Sequence, residues 1–131
     1  MREQLSSKTI LVVEDEGAVR DVVVKMLATF GYRVLAAQDP QQAIEVLNGE
    51  GESIDLVLTD IALPETDYGD FFTLLAANKW KLKVLFMSGY GKDALRRCGV
   101  PNTGVDFISK PFSVASIKKK LQEMFATATV G

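Results

Sequence analysis

The sequence of 131 residues contains no histidine and a single cysteine, Cys98. The absence of histidine excludes histidine-based catalytic triads, most zinc sites and a phosphohistidine formed on this chain. One cysteine cannot form a disulfide within the chain, which fits a reducing compartment. Any chemistry must therefore use carboxylates, lysine, serine or backbone groups.

An excess of basic charge and a long apolar run are absent as well. The chain has 15 basic and 17 acidic residues, so its charge favours neither nucleic acid nor an anionic membrane as a partner. No apolar run approaches the roughly 18 to 20 residues that cross a bilayer. The start, MREQLSSK, lacks the apolar core of a signal peptide. These features predict a cytoplasmic protein, and the length fits one domain.

Five short apolar or β-branched runs alternate with longer segments that carry apolar residues at helical spacing. The runs are TILVV, YRVLAA, IDLVLT, KVLFMS and VDFIS. Nearly continuous apolar strands are typical of parallel sheets covered by helices on both faces. The sequence therefore predicts an α/β fold: a doubly wound, five-stranded parallel sheet of order 2-1-3-4-5 with five helices. One domain is expected over 1–131, with a core at about 8–126 and loosely held ends at 1–7 and 127–131.

The helices have local start and stop signals. The first is predicted to end before Gly31, and the second to begin with Asp39 as cap, Pro40 at the first position and Gln42 three residues after the cap. Ser113 is the predicted cap of the fifth and last helix. The third and fourth helices are predicted near 70–79 and 92–98. The predicted buried faces comprise Val19, Val22, Val23, Met26 and Leu27 in the first helix, Ala43, Ile44 and Leu47 in the second, and Val114, Ile117, Leu121 and Met124 in the last.

Polar side chains stand where the predicted strands end. Glu14 and Asp15 follow the first strand, Asp60 the third, Ser88 the fourth and Lys110 the fifth. Ligands of such sheets bind beyond the carboxyl ends of the strands, where the strand order reverses, so these residues are expected to converge. Carboxylates brought together repel one another, and a hard cation such as Mg²⁺ would offset the repulsion. A single acid at a strand end would be better interpreted as a solvated loop residue; five suitable residues favour a site.

Four motifs, in this order, resemble the receiver domain of two-component response regulators, and most of all the receivers of hybrid sensor histidine kinases. They are VVEDE, LVLTD with a proline four residues after the aspartate, VLFMSGY and FISKPF. The resemblance implies that Asp60 accepts a phosphoryl group from a phosphohistidine on a partner kinase. It implies Mg²⁺ as cofactor, held by Asp15, Asp60, Glu14 through a water, and the backbone carbonyl of Ala62. Lys110 and Ser88 would contact the phosphoryl group. Phosphoryl transfer requires that the negative charge on the phosphoryl oxygens be neutralised, and the Lys110 ammonium and Mg²⁺ would do so.

The same resemblance implies a switch and a set of partners. Ser88 would move toward the phosphoryl group and Phe107 would turn into the space it leaves, with Tyr90 as a second sensor. The surface formed by the fourth helix, the fifth strand and the fifth helix would change, and two copies could pair through it. The expected partners are a sensor histidine kinase domain and a histidine phosphotransfer protein. Phe107 has an equally good interpretation as a core residue.

Enzymatic character is implied only in a limited sense. A receiver catalyses its own phosphorylation and dephosphorylation, and as part of a hybrid sensor kinase the full protein would be a histidine kinase. The chain is either a stand-alone receiver or part of a longer protein.

The alternative function is that of a degenerate receiver, which binds proteins without being phosphorylated. A haloacid dehalogenase would need an acid where Ala62 stands, and GYGKDA lacks the phosphate-binding spacing of a P-loop.

The loop after the third strand departs from the receiver pattern. Gly69 stands nine residues after Asp60, whereas receivers typically have a glycine eight residues after the phosphoacceptor. One residue added within ETDYG predicts a locally rebuilt turn beside an intact pocket. Glu65 and Asp67 are interpreted as loop residues and Asp70 as a helix cap.

Overall fold

The computed structural model describes residues 8–60, 82–88, 106–109 and 113–130. These contain five strands: β1 (Thr9–Val13), β2 (Arg33–Ala37), β3 (Leu56–Asp60), β4 (Lys83–Ser88) and β5 (Asp106–Ser109). They also contain helices α1 (Gly17–Thr29), α2 (Pro40–Glu50) and α3 (Val114–Val130), with a 3-10 turn at Gly51–Ser53. The strands are parallel in the order β2-β1-β3-β4-β5, which confirms the predicted topology. The helices predicted near 70–79 and 92–98 lie outside the described residues.

Strands β1 and β3 are buried along their whole length, because helices cover both faces of the sheet. Alternate residues of a strand point to opposite faces. Ile10 and Val12 accordingly pack in one core and Leu11 and Val13 in another. The first core adds Val23 and Leu27 of α1 and Ile117 and Leu121 of α3; the second adds Ala43 and Leu47 of α2. This two-sided burial explains why the sequences of β1 and β3 are nearly continuous in apolar residues.

The predicted end of α1 and the predicted start of α2 are confirmed. Gly31 has a φ of 100°, a left-handed conformation that glycine adopts without steric cost and that ends α1. At the start of α2, the Asp39 carboxylate accepts a hydrogen bond from the Gln42 backbone amide at 2.7 Å. The Gln42 side chain in turn accepts one from the Gln38 amide at 2.7 Å. The Gln42 amide, which the helix leaves unpaired, thus has an acceptor, and the Gln42 side chain also holds the residue that precedes the cap.

Two residues predicted to be buried are exposed instead. Val22 exposes 58% of its surface and Val114 exposes 54%. Successive residues of a helix are separated by about 100° around its axis, so Val22 lies on the flank of α1 while its neighbour Val23 faces the sheet. Val114 belongs to the first turn of α3, which is exposed as far as the buried Ile117.

The cap predicted for the last helix is confirmed, because the Ser113 hydroxyl accepts a hydrogen bond from the Ser116 amide at 3.0 Å. Helix α3 continues to Val130, into the stretch that the sequence predicts to be loosely held.

None of the helices that the structure describes is long and apolar enough to span a bilayer.

A row of three aromatic rings joins α1, the start of β2 and α3. The Tyr32 ring lies 6.5 Å from that of Phe30 and 5.6 Å from that of Phe125, measured between centroids. The ammonium groups of Lys118 and Lys8 lie 5.7 Å above the Phe30 and Phe125 rings, within the range of cation–π attraction. Burial raises the pKa of the Tyr32 hydroxyl. The row fastens α3 near the amino ends of the strands, at the opposite edge from the predicted site.

Asp55 ties three neighbouring strands together at their amino ends. Its carboxylate accepts a hydrogen bond from the Thr9 amide at 2.8 Å, and its own amide donates to the Thr9 carbonyl at 2.8 Å. Its carbonyl accepts from the Lys83 amide at 3.1 Å. One residue therefore sets where β1, β3 and β4 begin relative to one another.

Replacing Asp55 with alanine is expected to lower the free energy of unfolding by about 1–2 kcal/mol, because the Thr9 amide loses its acceptor. Urea denaturation at neutral pH measures this change. Asp55→Asn is the matched control, since it removes the charge but keeps an acceptor oxygen, and it should lose less stability. An alanine variant as stable as the wild type would show that the hydrogen bond to Thr9 contributes nothing measurable.

Candidate functional site

The turn between β1 and α1 is fixed by Glu14. Its amide donates to the Ala37 carbonyl of β2 at 3.1 Å, which extends the strand pairing by one residue. Its carbonyl accepts a hydrogen bond from the Arg20 guanidinium at 2.8 Å, and its carboxylate accepts one from the Glu16 amide at 3.2 Å. Glu14 is only 1% exposed. Its backbone and side chain are therefore both held in place.

Asp60 is the last residue of β3 and is only 4% exposed. Val13 of β1 is in register with Thr59, so the residues that follow them, Glu14 and Asp60, stand side by side. On the other side, Asp60 is in register with Met87 of β4. Pairing with strands on both sides gives this carboxylate a rigid support.

The carboxylates of Glu14, Asp15 and Asp60 converge at this edge of the sheet. One oxygen from each lies within 4.8 Å of the others. Glu14 and Asp60 are buried and Asp15 is exposed, so the cluster has a protein side and a solvent side. Like charges at this separation repel one another. A set of oxygen donors that closes around one point suits a hard divalent cation, so these residues fit Mg²⁺.

Three of the predicted site residues are thus brought together: Glu14, Asp15 and Asp60. Ser88 ends β4, one residue beyond the partner of Asp60, as predicted for its backbone, but its side chain lies outside what the structure describes. Phe107 lies in β5, in register with Phe86, and its side chain is likewise outside the description.

Other predicted positions fall entirely outside the described residues. These are Ala62, Tyr90 and Lys110 of the predicted site and Glu65, Asp67, Gly69 and Asp70 of the loop that follows the third strand. Their roles stay predictions. The predicted turn within 61–70 stays a prediction too; the part of the pocket that the structure describes has the Asp60 carboxylate within 4.8 Å of that of Asp15.

Arg20, which donates a hydrogen bond to the Glu14 carbonyl, was not among the predicted site residues. The sequence contains one indication of this contact. Arg20 lies in the first turn of α1, where the helix dipole disfavours a cation, and it follows a run of three acids. A cation in that position indicates that something nearby compensates for the unfavourable placement.

Comparison with known proteins finds similarity to receiver domains of two-component systems. A family model described as the response regulator receiver domain matches residues 10–122. Sensor kinase CckA of Brucella abortus is 35% identical over 118 residues, which span 90% of this chain and 12% of the kinase. Response regulator GtcR of Aneurinibacillus migulanus is 32% identical over 123 residues, spanning 91% of this chain and 50% of that protein.

The likeness extends to solved structures. The crystal structure of the receiver domain from the hybrid histidine kinase CckA matches with a TM-score of 0.71 at 30% identity, covering 88% of this chain and 96% of that domain. The sequence match and the structural match both cover most of the chain, and the sheet has the predicted strand order. The chain belongs to the response regulator receiver domain family.

Proposed function

We propose that this receiver domain accepts a phosphoryl group on Asp60 from a phosphohistidine of a sensor kinase, with Mg²⁺ as cofactor. The observation that carries the proposal is the convergence of Glu14, Asp15 and Asp60 within 4.8 Å at the carboxyl ends of β1 and β3. Among these acids, Asp60 is the one placed at the end of a strand that is paired on both sides. Phosphoryl transfer depends mainly on a positioned nucleophile and on charge neutralisation, and this arrangement supplies the first.

The proposed reaction is a single displacement at phosphorus. A carboxylate oxygen of Asp60 forms a P–O bond as the P–N bond of the phosphohistidine breaks. The imidazole nitrogen leaves with the bonding electron pair, and protonation restores the histidine. Bound Mg²⁺ would neutralise the negative charge that builds up on the phosphoryl oxygens.

The acid cluster is the part of the chain that would hold the cation. Asp15 and Asp60 would be direct ligands and Glu14 would act through a water, as implied by the likeness to receivers, with the Ala62 carbonyl as a further ligand. One Glu14 carboxylate oxygen already accepts a hydrogen bond from the Glu16 amide at 3.2 Å, which favours this indirect role. Lys110 and Ser88 would complete the site by contacting the phosphoryl oxygens.

Phosphorylation is proposed to act on a surface at the β5 edge of the sheet. Movement of Ser88, with Phe107 and Tyr90 as sensors, would change the surface formed by the predicted fourth helix, β5 and α3. The proposed partners are a sensor histidine kinase domain and a histidine phosphotransfer protein, with a second copy of the chain able to pair through the same surface. The similarity to a sensor kinase at 35% identity supports the first of these partners.

Incubation with acetyl phosphate and Mg²⁺ tests the proposal directly. The intact mass is expected to increase by one phosphoryl group, and EDTA should prevent the increase. Beryllofluoride, which mimics the phosphoryl group without turnover, should shift the amide resonances of residues beside Asp60. If neither reagent changes the protein, the chain is a receiver that acts by protein binding alone, which is the alternative function.

A further inference from the structure

Arg20 folds back from the first turn of α1 over the turn that carries two of the clustered acids. Its guanidinium Nη1 donates to the Glu14 carbonyl at 2.8 Å, and its amide donates to the Glu16 carbonyl at 2.9 Å. The other guanidinium nitrogen lies close to Gly17, since a Cβ built on that glycine would stand 3.6 Å from it. The side chain is thus held on the turn by its hydrogen bond to the Glu14 carbonyl, and it is partly buried.

Glu14 is held at three separate atoms. Its amide binds the Ala37 carbonyl, its carbonyl binds Arg20, and its carboxylate binds the Glu16 amide. Asp15 lies between the two residues so connected, and its exposed carboxylate reaches the other acids within 4.8 Å. The bond from Arg20 is the one of the three that comes from a side chain outside the turn, so it is the one that a substitution can remove selectively.

We infer that Arg20 is a positioning residue for the divalent cation site, because it fixes the Glu14 carbonyl and thereby the turn that presents Asp15. The inference rests on the proposed function, since it assumes that the acid cluster binds Mg²⁺. Hydrogen bonds that orient metal ligands from outside the ligand set are typically worth a large factor in metal affinity.

Two effects of Arg20 on Mg²⁺ binding have opposite signs. Its hydrogen bond to the Glu14 carbonyl holds the ligands in place and favours binding, whereas its positive charge repels a dication. The guanidinium is only partly buried and is paired with a carbonyl dipole, so solvent and salt screen the repulsion. The positioning effect therefore prevails, and removal of Arg20 weakens binding.

Calorimetric titration of MgCl₂ into the protein measures this effect. Arg20→Met keeps the aliphatic stem and removes both the donor and the charge, and we expect its Mg²⁺ affinity to fall about tenfold. Arg33→Met is the matched control: Arg33 pairs with Glu50 at 3.3 Å on the surface, at the amino end of β2, and its loss should leave the affinity within about twofold. An Arg20→Met protein that binds Mg²⁺ as well as, or better than, the wild type would overturn the inference.

Arg20→Lys separates the hydrogen bond from the charge. It keeps the charge and can still donate to the Glu14 carbonyl, but without the planar guanidinium, so an intermediate affinity is expected. Labelling by acetyl phosphate gives a second readout. The Mg²⁺ concentration for half-maximal rate should rise in Arg20→Met, while the rate at saturating Mg²⁺ stays close to that of the wild type. A reduced saturating rate with unchanged Mg²⁺ dependence would contradict a positioning role.

The two levels of the proposal fail in different ways. Wild-type protein that binds no Mg²⁺ and takes up no phosphoryl group overturns the proposed function, and this inference with it. Wild-type protein that does both, alongside an Arg20→Met variant with the same affinity, overturns this inference alone.

Discussion

Asp60→Asn protein incubated with acetyl phosphate and Mg²⁺ is expected to take up no phosphoryl group, whereas the wild type takes up one. The amide of asparagine has nearly the shape of the carboxylate but is not a nucleophile toward phosphorus, so the loss should be complete rather than partial. The side chain is 4% exposed at the end of β3, and a near-isosteric replacement keeps its packing. Intact-mass spectrometry of both proteins under identical conditions measures the difference.

Asp39→Asn is a matched control for Asp60→Asn. It makes the same chemical change at the cap of α2, where asparagine is as good a capping residue as aspartate, so both folding and labelling should be retained. Labelling that persists in Asp60→Asn would show that another acid is the acceptor, with Asp15 the first to test because its carboxylate lies within 4.8 Å. Loss of labelling in both variants would point to a general effect of amide substitution on the fold.

The parts of the site that the sequence predicts are those fixed by strand ends. Glu14 follows β1 and Asp60 ends β3, and in a parallel sheet the carboxyl ends of neighbouring strands share one edge. Strand order and register then bring their carboxylates together without further information. The cap at Asp39 and the stop at Gly31 are predictable for a similar reason, since each depends on residues adjacent in the chain.

The features that the sequence does not reveal depend on contacts between distant residues or on which way a side chain faces. Asp55 and Thr9 are separated by 46 residues, and nothing in either local sequence indicates their hydrogen bond. Arg20 reaches back by a long side chain whose direction only the folded turn determines. Val22 and Val114 fit the apolar pattern of their helices, but that pattern does not show how wide a face each helix buries.

Asp15→Asn is expected to weaken Mg²⁺ binding by at least about tenfold and, at the same time, to stabilise the metal-free protein slightly. The variant removes a charged ligand, and it also removes one of three carboxylates that repel one another within 4.8 Å. Since Asp15 is exposed and its charge is screened, the gain without metal should be only a few tenths of a kcal/mol.

The two effects of Asp15→Asn predict that the variant and the wild type exchange their order of stability when Mg²⁺ is added. A cation that binds only the folded state adds about 2.7 kcal/mol when its concentration is a hundredfold above the dissociation constant, and a tenfold weaker site gains about 1.4 kcal/mol at that concentration. The variant should therefore be the more stable protein in EDTA and the less stable one in Mg²⁺, as measured by urea denaturation. Asp21→Asn, at an exposed position of α1, should show the full wild-type gain with Mg²⁺. Equal gains in wild type and Asp15→Asn would mean that Asp15 is not a ligand. A reversal would show that the Asp15 carboxylate destabilises the metal-free protein and stabilises the protein with bound Mg²⁺.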